Sequence, residues 1–533
     1  MKLKELVKED WTVHEGDSPE VPGIVYDSRM VGRGDLFVSV KGGKCDGHDF
    51  IGDAIKRGAS AVVYERSCDT IEGLMRAHPE ITWIGVDDAR DALAHLSSRF
   101  YRDPSEDVSV ISITGTNGKT TTSYLIKGIL EAWGKGVGLV GTIQYMIREE
   151  VFDAPHTTPE SADLQRLIRE MADRGCDFVI GEVSSHALAQ KRADYTRIGV
   201  AVFTNLTRDH LDFHGSMEEY ARAKERLFTE LLVEGGTAVI NIDDAFGKQL
   251  AERLRSGGPS GRALRVITYS VGSEGADLTV SRVRTSMNGT SCTVRISSGG
   301  EVREEAVTSP LVGITNLYNM LGAVGAAIAV GVPWEAITRG IAGVKVVKGR
   351  FETVSLGQRF LAVVDYAHTE DALERLLQTT REVVTPVGAG KGRVITVFGC
   401  GGNRDRGKRP KMGGVATRLS DFVIITSDNP RHEDPREIIG DIEEGVGGGN
   451  YMVIPDRAVA ITCAVALAAP GDCVVVAGKG HEEYQEVAGT RTPFSDRKFL
   501  EHAIRLLQGP RDRAGCRAHK TLIASPFPDE LGR

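Results

Sequence analysis

The chain has 533 residues, 41% hydrophobic and 26% charged, with a formal net charge of −8 at pH 7. That length exceeds one hydrophobic core and predicts about three to four domains. The acidic balance argues against nucleic acid or an anionic membrane surface as main partner, and the longest apolar stretch, around Leu321 to Val332, is too short to span a bilayer.

In chain order, the first segment carries short strands at Gly23 to Tyr26, Leu36 to Val40 and Ala61 to Tyr64. It closes on a helix through Ala92, Leu96 and Phe100 near Asp103-Pro104. Next comes a buried-strand pattern from Val108 to Ile113, then Gly115-Thr116-Asn117-Gly118-Lys119-Thr120-Thr121, then a helical pattern through Tyr124, Leu125, Ile129 and Leu130. Strand, glycine turn, Lys-Thr and helix form the layout that cradles nucleotide phosphates: backbone N–H groups face the anion, the lysine adds a charge, and a hydroxyl reaches magnesium. Ile113 stands where the strict loop pattern has a glycine, so this is a compressed variant, read as ATP-binding.

Strand-like runs follow at Phe178 to Ile180, Val200 to Phe203 and Ala238 to Ile240, with amphipathic helices between them. This alternation predicts a mostly parallel sheet with helices on both faces. The stretch Gly257-Gly258-Pro259 leads into meander strands from Leu278 to Ile296, then a helix from Leu317 to Val330. A third segment from about Gly349 repeats the βα rhythm at Leu361 to Val364, Val394 to Phe398, Phe422 to Thr426 and Val474 to Ala477. The polar tail after Pro510 has no periodicity and is expected to be loosely ordered. Eight scattered cysteines without a CxxC pair read as buried free thiols in a reducing compartment. The first residues have no apolar signal region, and a cytoplasmic protein is expected.

Charged motifs cluster at strand ends. Glu182 ends its run in Glu182-Val183-Ser184-Ser185-His186, where a magnesium ligand would sit in a sheet that also holds a phosphate loop. Thr207-Arg208-Asp209-His210-Leu211-Asp212 follows the next strand, and its spacing does not match a zinc site. Lys224, in Tyr220 to Phe228, reads by itself as a solvated helix lysine. In the third segment Gly399 to Arg409, Asp428-Asn429-Pro430-Arg431 and Gly478-Lys479-Gly480-His481-Glu482 follow strands, where open α/β sheets bind ligands.

Taken in register, these motifs closely resemble the Mur ligases, and within them the MurE branch that adds the third residue of the peptidoglycan stem peptide. The likeness runs from Asp27-Ser28-Arg29 to Phe494-Ser495-Asp496-Arg497. It implies an α/β chain of three domains. Residues 1–103 would be a smaller α/β UDP-sugar-binding domain, 104–347 a central P-loop-type parallel-sheet ATPase domain, and 348–510 a Rossmann-like amino-acid-binding domain, with 511–533 as tail. The implied reaction is ATP-dependent ligation of meso-diaminopimelate to UDP-MurNAc-L-Ala-D-Glu through an acyl phosphate. The implied cofactors are ATP and Mg2+, with no nucleic acid and no membrane insertion, and the oligomeric state stays open.

Residue by residue, the resemblance places Lys119, Glu182, His210 and Lys224 in catalysis. It puts Gly115, Thr116, Asn117, Gly118, Lys119, Thr120, Thr121, Asn316, Arg350 and Asp365 on ATP. Thr120, Glu182, His210 and Lys224, the last as a carbamate, would hold metal. Ser28, Thr157, Thr158, Ser184, Gln190 and Arg192 would contact the UDP-sugar. Arg404, Asp428, Asn429, Arg431, Gly478 and Glu482 would contact the amino acid, with Arg431 on the distal carboxylate and Glu482 suiting the distal ammonium. An asparagine at a helix start explains Asn316 equally well. The alternatives are the same ligase adding L-lysine, a folylpolyglutamate synthase-like ligase, and a non-catalytic nucleotide-binding regulator.

Overall fold

The computed structural model describes residues 1–508, apart from 15, 17–19, 44, 69–70, 258–260, 287–288 and 385–391. The tail after Pro510 and most of the Gly257-Gly258-Pro259 stretch therefore lie outside the described residues. Three main sheets follow one another along the chain.

The first sheet has five strands in the order Thr12–His14, Thr82–Val86, Ala61–Glu65, Leu36–Val38 and Ile24–Val25. Its members pair in parallel except Thr12–His14. Alternation sorts its side chains: Leu36, Val38 and Val63 enter one buried cluster, whereas Phe37, Val62 and Tyr64 enter another. The helix Ala89–Phe100 starts where the Asp88 carboxylate accepts from the backbone N–H groups of Arg90 and Asp91. It buries Ala92, Leu93 and Leu96 against the sheet.

The second sheet has eleven strands. Its parallel centre runs Arg265–Tyr269, Leu232–Asn241, Ile198–Phe203, Ser109–Thr114, Phe178–Glu182 and Val137–Val140. The same period-two rule puts Val108 and Val110 in one core and Ile111 and Ile113 in the other, so helices cover both faces. The edges depart from a purely parallel sheet. Leu278–Ser286, Gly289–Ser298 and Glu301–Ser309 form an antiparallel meander, as read from sequence, and the hairpin Gln144–Ile147 with Glu150–Asp153 extends the opposite edge. Strand Ser109–Thr114 is flanked by Ile198–Phe203 and Phe178–Glu182, so the chain leaves it in two directions and a crevice opens at its carboxyl end.

The third sheet runs Glu352–Thr353, Leu361–Asp365, Cys473–Ala477, Val394–Phe398, Phe422–Ile425 and Tyr451–Val453, parallel except for its first strand. The last described helix, Asp496–Gln508, is tied to this sheet by an ion pair with no exposed side-chain surface on either partner. The Arg457 guanidinium meets both Asp496 oxygens at 2.7 Å and donates to the Ala477 carbonyl, one residue before Gly478. Removing one partner would strand a buried charge, so Asp496→Ala is expected to cost about 3–5 kcal/mol. A lowered urea midpoint with an unchanged wild-type slope would register that loss.

No disulfide joins the described cysteines, and Cys176, Cys292, Cys400 and Cys473 are buried as expected. Cys45 is exposed, and Cys68 and Cys463 are half-buried.

Candidate active site

The loop after Ser109–Thr114 is shaped by two glycines that no other residue could replace without strain. Gly115 has φ +144° and Gly118 φ +89°, and a Cβ at Gly115 would stand 1.8 Å from Thr204 Oγ1. Thr204 instead donates to the Asn117 carbonyl at 2.6 Å, and Asn117 N donates to Asn205 Oδ1 at 2.9 Å. The helix Lys119–Ala132 begins with no side-chain cap, so its first N–H groups and dipole face the crevice. Such an end can receive an anion on backbone N–H groups alone.

Lys119 Nζ folds over the loop, donating to the carbonyls of Gly115 at 2.9 Å and Thr116 at 3.0 Å. Thr120 Oγ1 donates to Glu182 Oε2 at 2.9 Å. Glu182 reaches the loop because its strand pairs in parallel with it, with Glu182 opposite Ile113. Its carboxylate is 1% exposed and also accepts from the Thr142 hydroxyl at 2.8 Å and the Thr142 N–H at 3.1 Å.

Lys224 overturns its reading as a solvated helix lysine. Helix Met217–Arg226 turns it inward, 1% exposed, with Nζ 4.5 Å from the Tyr220 ring centroid and 2.8 Å from the Gly115 carbonyl. Lys119 and Lys224 thus donate to the same oxygen. Burial, then the neighbouring Lys119 charge, pushes the Lys224 amine well below the usual lysine range. His210 begins the short helix Leu211–His214 in a left-handed conformation, φ +55°. Its ring lies edge-on to His186 at 4.7 Å between centroids, and its Nε2 is 3.3 Å from Asp209 Oδ2. Burial pushes His210 down to about 3 and His186 to about 4, so both rings are neutral at pH 7. Burial opposes the charge on Asp209, yet Lys408 and the His210 backbone N–H, 2.9 Å from Asp209 Oδ1, help hold it below the usual carboxylate range.

Asn316, Arg350 and Asp365 line one cavity with Asn117, Gly118 and Thr121. Asn316 does not cap its helix; it is inside the first turn of Ile314–Ala329, donating to the Val312 carbonyl and accepting from Asn319 Nδ2. Arg350 lies over the Tyr366 ring at 4.8 Å and donates to Thr120 Oγ1 at 3.3 Å, while its buried Nε has no partner. The third sheet is therefore joined directly to the loop. Asn117 Nδ2 to Asp371 Oδ2, at 3.0 Å, is a second such link. Asp365 is held by the N–H groups of Phe351 and Ala367.

A second cavity, about 400 Å³, lies between the second and third sheets. Thr157, Thr158, Ser184, Arg192 and His210 line one side, and Arg404, Asp428, Asn429, Arg431, Gly478 and Glu482 the other. Ser28 and Gln190 are not on its wall. Ser28 opens a 3-10 turn capped by Asp27, and Gln190 accepts from Arg192 Nη2 at 2.7 Å. Tyr26, two residues before Ser28, donates to Asp163 at 2.7 Å and keeps that edge of the first sheet nearby.

Several residues on or behind this wall were given no role from sequence. Lys479 is wholly buried and donates to Asn429 Oδ1 at 2.8 Å, Glu482 Oε2 at 3.3 Å and Asp428 Oδ1 at 3.5 Å. An internal ammonium thus already sits among the acids expected to meet a ligand's ammonium. Even so, burial and the Asp428 charge keep Glu482 above the usual carboxylate range. Tyr366, His368, Asp405 and Lys408 also line the cavity. Only the strand-end position of their motifs could have pointed to them.

Sequence profiles match in the same order as the sheets: "Mur ligase family, catalytic domain" over residues 20–101, "Mur ligase middle domain" over 113–327, and "Mur ligase, glutamate ligase domain" over 349–480. The chain belongs to the Mur ligase family. Among Mur ligases it is 44% identical over 510 residues to a Geobacter metallireducens protein named UDP-N-acetylmuramoyl-L-alanyl-D-glutamate--2,6-diaminopimelate ligase, covering 92% of this chain and 95% of the relative. A Bacillus licheniformis protein of the same name is 42% identical over 496 residues, covering 92% and 95%. A solved structure of a ligase so named matches with TM-score 0.65 and 33% identity, covering 96% of this chain and all of the other. MurF ligase from Thermotoga maritima in complex with ADP shares the fold at TM-score 0.58 and 20% identity, covering 91% and 96%. No helix among the described residues of this Mur ligase is long and apolar enough to cross a membrane.

Proposed function

We propose that this Mur ligase joins meso-diaminopimelate to the D-glutamyl γ-carboxylate of UDP-MurNAc-L-Ala-D-Glu, with ATP converted to ADP and phosphate. One observation carries the reading. A single cavity has candidate UDP-sugar residues and His210 on one wall and, on the other, two acids with two arginines suited to a zwitterionic side-chain end. We place the domain boundaries at 103/104 and 347/348, between the helix ending at Phe100 and the strand from Ser109, and between the helix ending at Gly343 and the strand from Glu352.

The chemistry asks for charge neutralisation and alignment. The γ-phosphoryl of ATP passes to the carboxylate, making an acyl phosphate. The acceptor amine then forms a C–N bond to the carbonyl carbon, phosphate departs with the C–O electron pair, and the nitrogen loses its proton. Lys119 is three to four residues from both carbonyls it now contacts and would exchange them for the β- and γ-phosphate oxygens. Arg350, with its partnerless Nε, would add charge where phosphate meets Thr120.

Magnesium fits the donor set. The Thr120 hydroxyl and buried Glu182 carboxylate are hard oxygens 2.9 Å apart, the sparse protein share that magnesium takes beside phosphate oxygens and water. When bound, it would offset the negative charge gathered on the phosphates. Lys224 would contribute as a carbamate: only a neutral amine adds carbon dioxide, and its depressed basicity raises that neutral fraction. His210, neutral by burial, would serve as a nitrogen ligand nearby.

The direct test is phosphate release from ATP with UDP-MurNAc-L-Ala-D-Glu and either meso-diaminopimelate, L-lysine or no amino acid. Release dependent on meso-diaminopimelate is expected. A preference for L-lysine would overturn the assigned acceptor, and ATP binding without amino-acid-dependent release would overturn the ligase reading.

A further inference from the structure

Thr142 follows strand Val137–Val140 after a single intervening residue, Gly141. Val140 lies opposite Gly181 in the sheet, so the ends of the two strands bring Thr142 beside Glu182. A Cβ at Gly141 would stand 2.4 Å from Glu182 Oε1, and glycine there lets the chain close on the carboxylate.

The hydrogen bonds at this point form a chain. Glu182 Oε2 accepts from the Thr120 hydroxyl at 2.9 Å and the Thr142 hydroxyl at 2.8 Å, which takes both of its lone pairs. Oε1 accepts from the Thr142 N–H at 3.1 Å, and the Ser123 hydroxyl, 2.8 Å from the Thr120 carbonyl, is 3.4 Å from it. Thr142 Oγ1 is also 3.1 Å from Thr157 Oγ1. A carboxylate only accepts, so the Thr142 hydrogen goes to Glu182 and the Thr157 hydroxyl donates to Thr142. Thr157 lines the cavity between the second and third sheets, whereas Thr142 and Glu182 stand behind it, off the wall. The Thr158 hydroxyl is committed elsewhere, donating to the Glu182 carbonyl at 2.8 Å and accepting from the Ser184 N–H at 3.1 Å. Thr157, Thr142 and Glu182 thus connect the cavity to the carboxylate that suits magnesium.

We propose that Thr142 is a positioning residue that couples binding of the nucleotide-sugar substrate to the metal site. The inference rests on the ligase reading above. UDP-MurNAc-L-Ala-D-Glu offers carbonyl, carboxylate and phosphate oxygens, all of them acceptors, and an acceptor arriving at Thr157 draws that hydroxyl's hydrogen into the cavity. Thr157 then presents a lone pair to Thr142, whose hydroxyl swings from Glu182 to Thr157. Two hydroxyl rotors turn, and no proton changes its oxygen. Thr120 need not leave, because a hydroxyl that gives a metal its lone pair keeps its hydrogen for Glu182. The swing frees one lone pair of Oε2, the oxygen that faces the Thr120 hydroxyl, for a metal shared by the two. Metal and nucleotide-sugar therefore favour each other's binding, equally in both directions.

Mn2+, followed by its electron paramagnetic resonance signal and corrected for ion held by free nucleotide, titrates the metal site with ADP present and no amino acid. In the wild type, UDP-MurNAc-L-Ala-D-Glu is expected to tighten Mn2+ binding about tenfold, within the usual range of coupling between sites. T142V keeps the shape without the hydroxyl. It should bind Mn2+ alone as tightly as the wild type does with the dipeptide substrate, and gain nothing further from that substrate. T142A, with no γ atoms to pack, is a second test of the same loss, and T142S should restore the wild-type pattern. A packing role predicts the opposite, weaker Mn2+ binding in T142V with the gain intact. That result overturns the inference, as does a wild type in which the dipeptide substrate binds without changing Mn2+ affinity, and both leave the ligase reading standing. A wild type that binds ADP and Mn2+ but not UDP-MurNAc-L-Ala-D-Glu overturns that reading itself.

Discussion

Lys224→Ala is expected to lower turnover by about 10²–10³-fold, the scale of losing one preorganised charged group from an active site. As an ammonium, Lys224 would set a second positive charge beside Lys119, with both on the Gly115 carbonyl, at the place where metal is needed. As a carbamate it presents anionic oxygens, the donor class magnesium prefers. The pH dependence has a definite sign. The amine adds carbon dioxide only when deprotonated, so its depressed basicity favours the carbamate near neutral pH, and acid both protonates the amine and releases carbon dioxide. Activity should therefore fall on the acid side and return when bicarbonate is added to protein restored to neutral pH. Native mass spectrometry would register the added carbon dioxide and its loss on acidification. An alanine variant with wild-type turnover would remove Lys224 from the metal site.

Arg431→Ala is expected to reduce kcat/KM for meso-diaminopimelate by about 10²-fold or more, as truncation of a paired charge in an interior site costs about 2–5 kcal/mol. The residue is held in place. It has φ +54°, its N–H donates to the Glu486 carbonyl, and Nη1 donates to the Gly402 carbonyl at 2.7 Å. One N–H is thereby used to orient the fork, and the guanidinium lines the cavity. Arg431→Lys should recover only part of the loss, because a point charge cannot reproduce two parallel hydrogen bonds to a carboxylate. Activity with L-lysine, which lacks the distal carboxylate, should change far less than activity with meso-diaminopimelate. Equal losses for both acceptors would show that Arg431 shapes the loop rather than reading the substrate.

Much of the fold was legible because strands and helices here follow local periodicity. The runs at Val394–Phe398 and Leu361–Asp365 are apolar on both faces, as parallel strands between two helical layers must be, and the sequence reading placed them within a residue. The hairpin Gln144–Asp153 and the edge strand Tyr451–Val453 were missed. The outer strand of the hairpin is fully exposed, and Tyr451–Val453 is short and only half-buried. Neither shows a buried alternation.

By itself, the sequence determined the phosphate loop, the parallel sheets and the motifs at their carboxyl ends, since glycine conformations, hydrophobic alternation and strand-to-helix turns are local properties. Only the tertiary structure decided what those motifs face. Lys224 reads as a surface lysine until its helix is packed against the loop. The ammonium of Lys479 among Asp428, Asn429 and Glu482 depends on two strand ends, separated in the sheet by Val394–Phe398, brought together from 50 residues apart. Charge and burial at a site depend on which distant segments exclude water from it, and no local pattern in the chain encodes that.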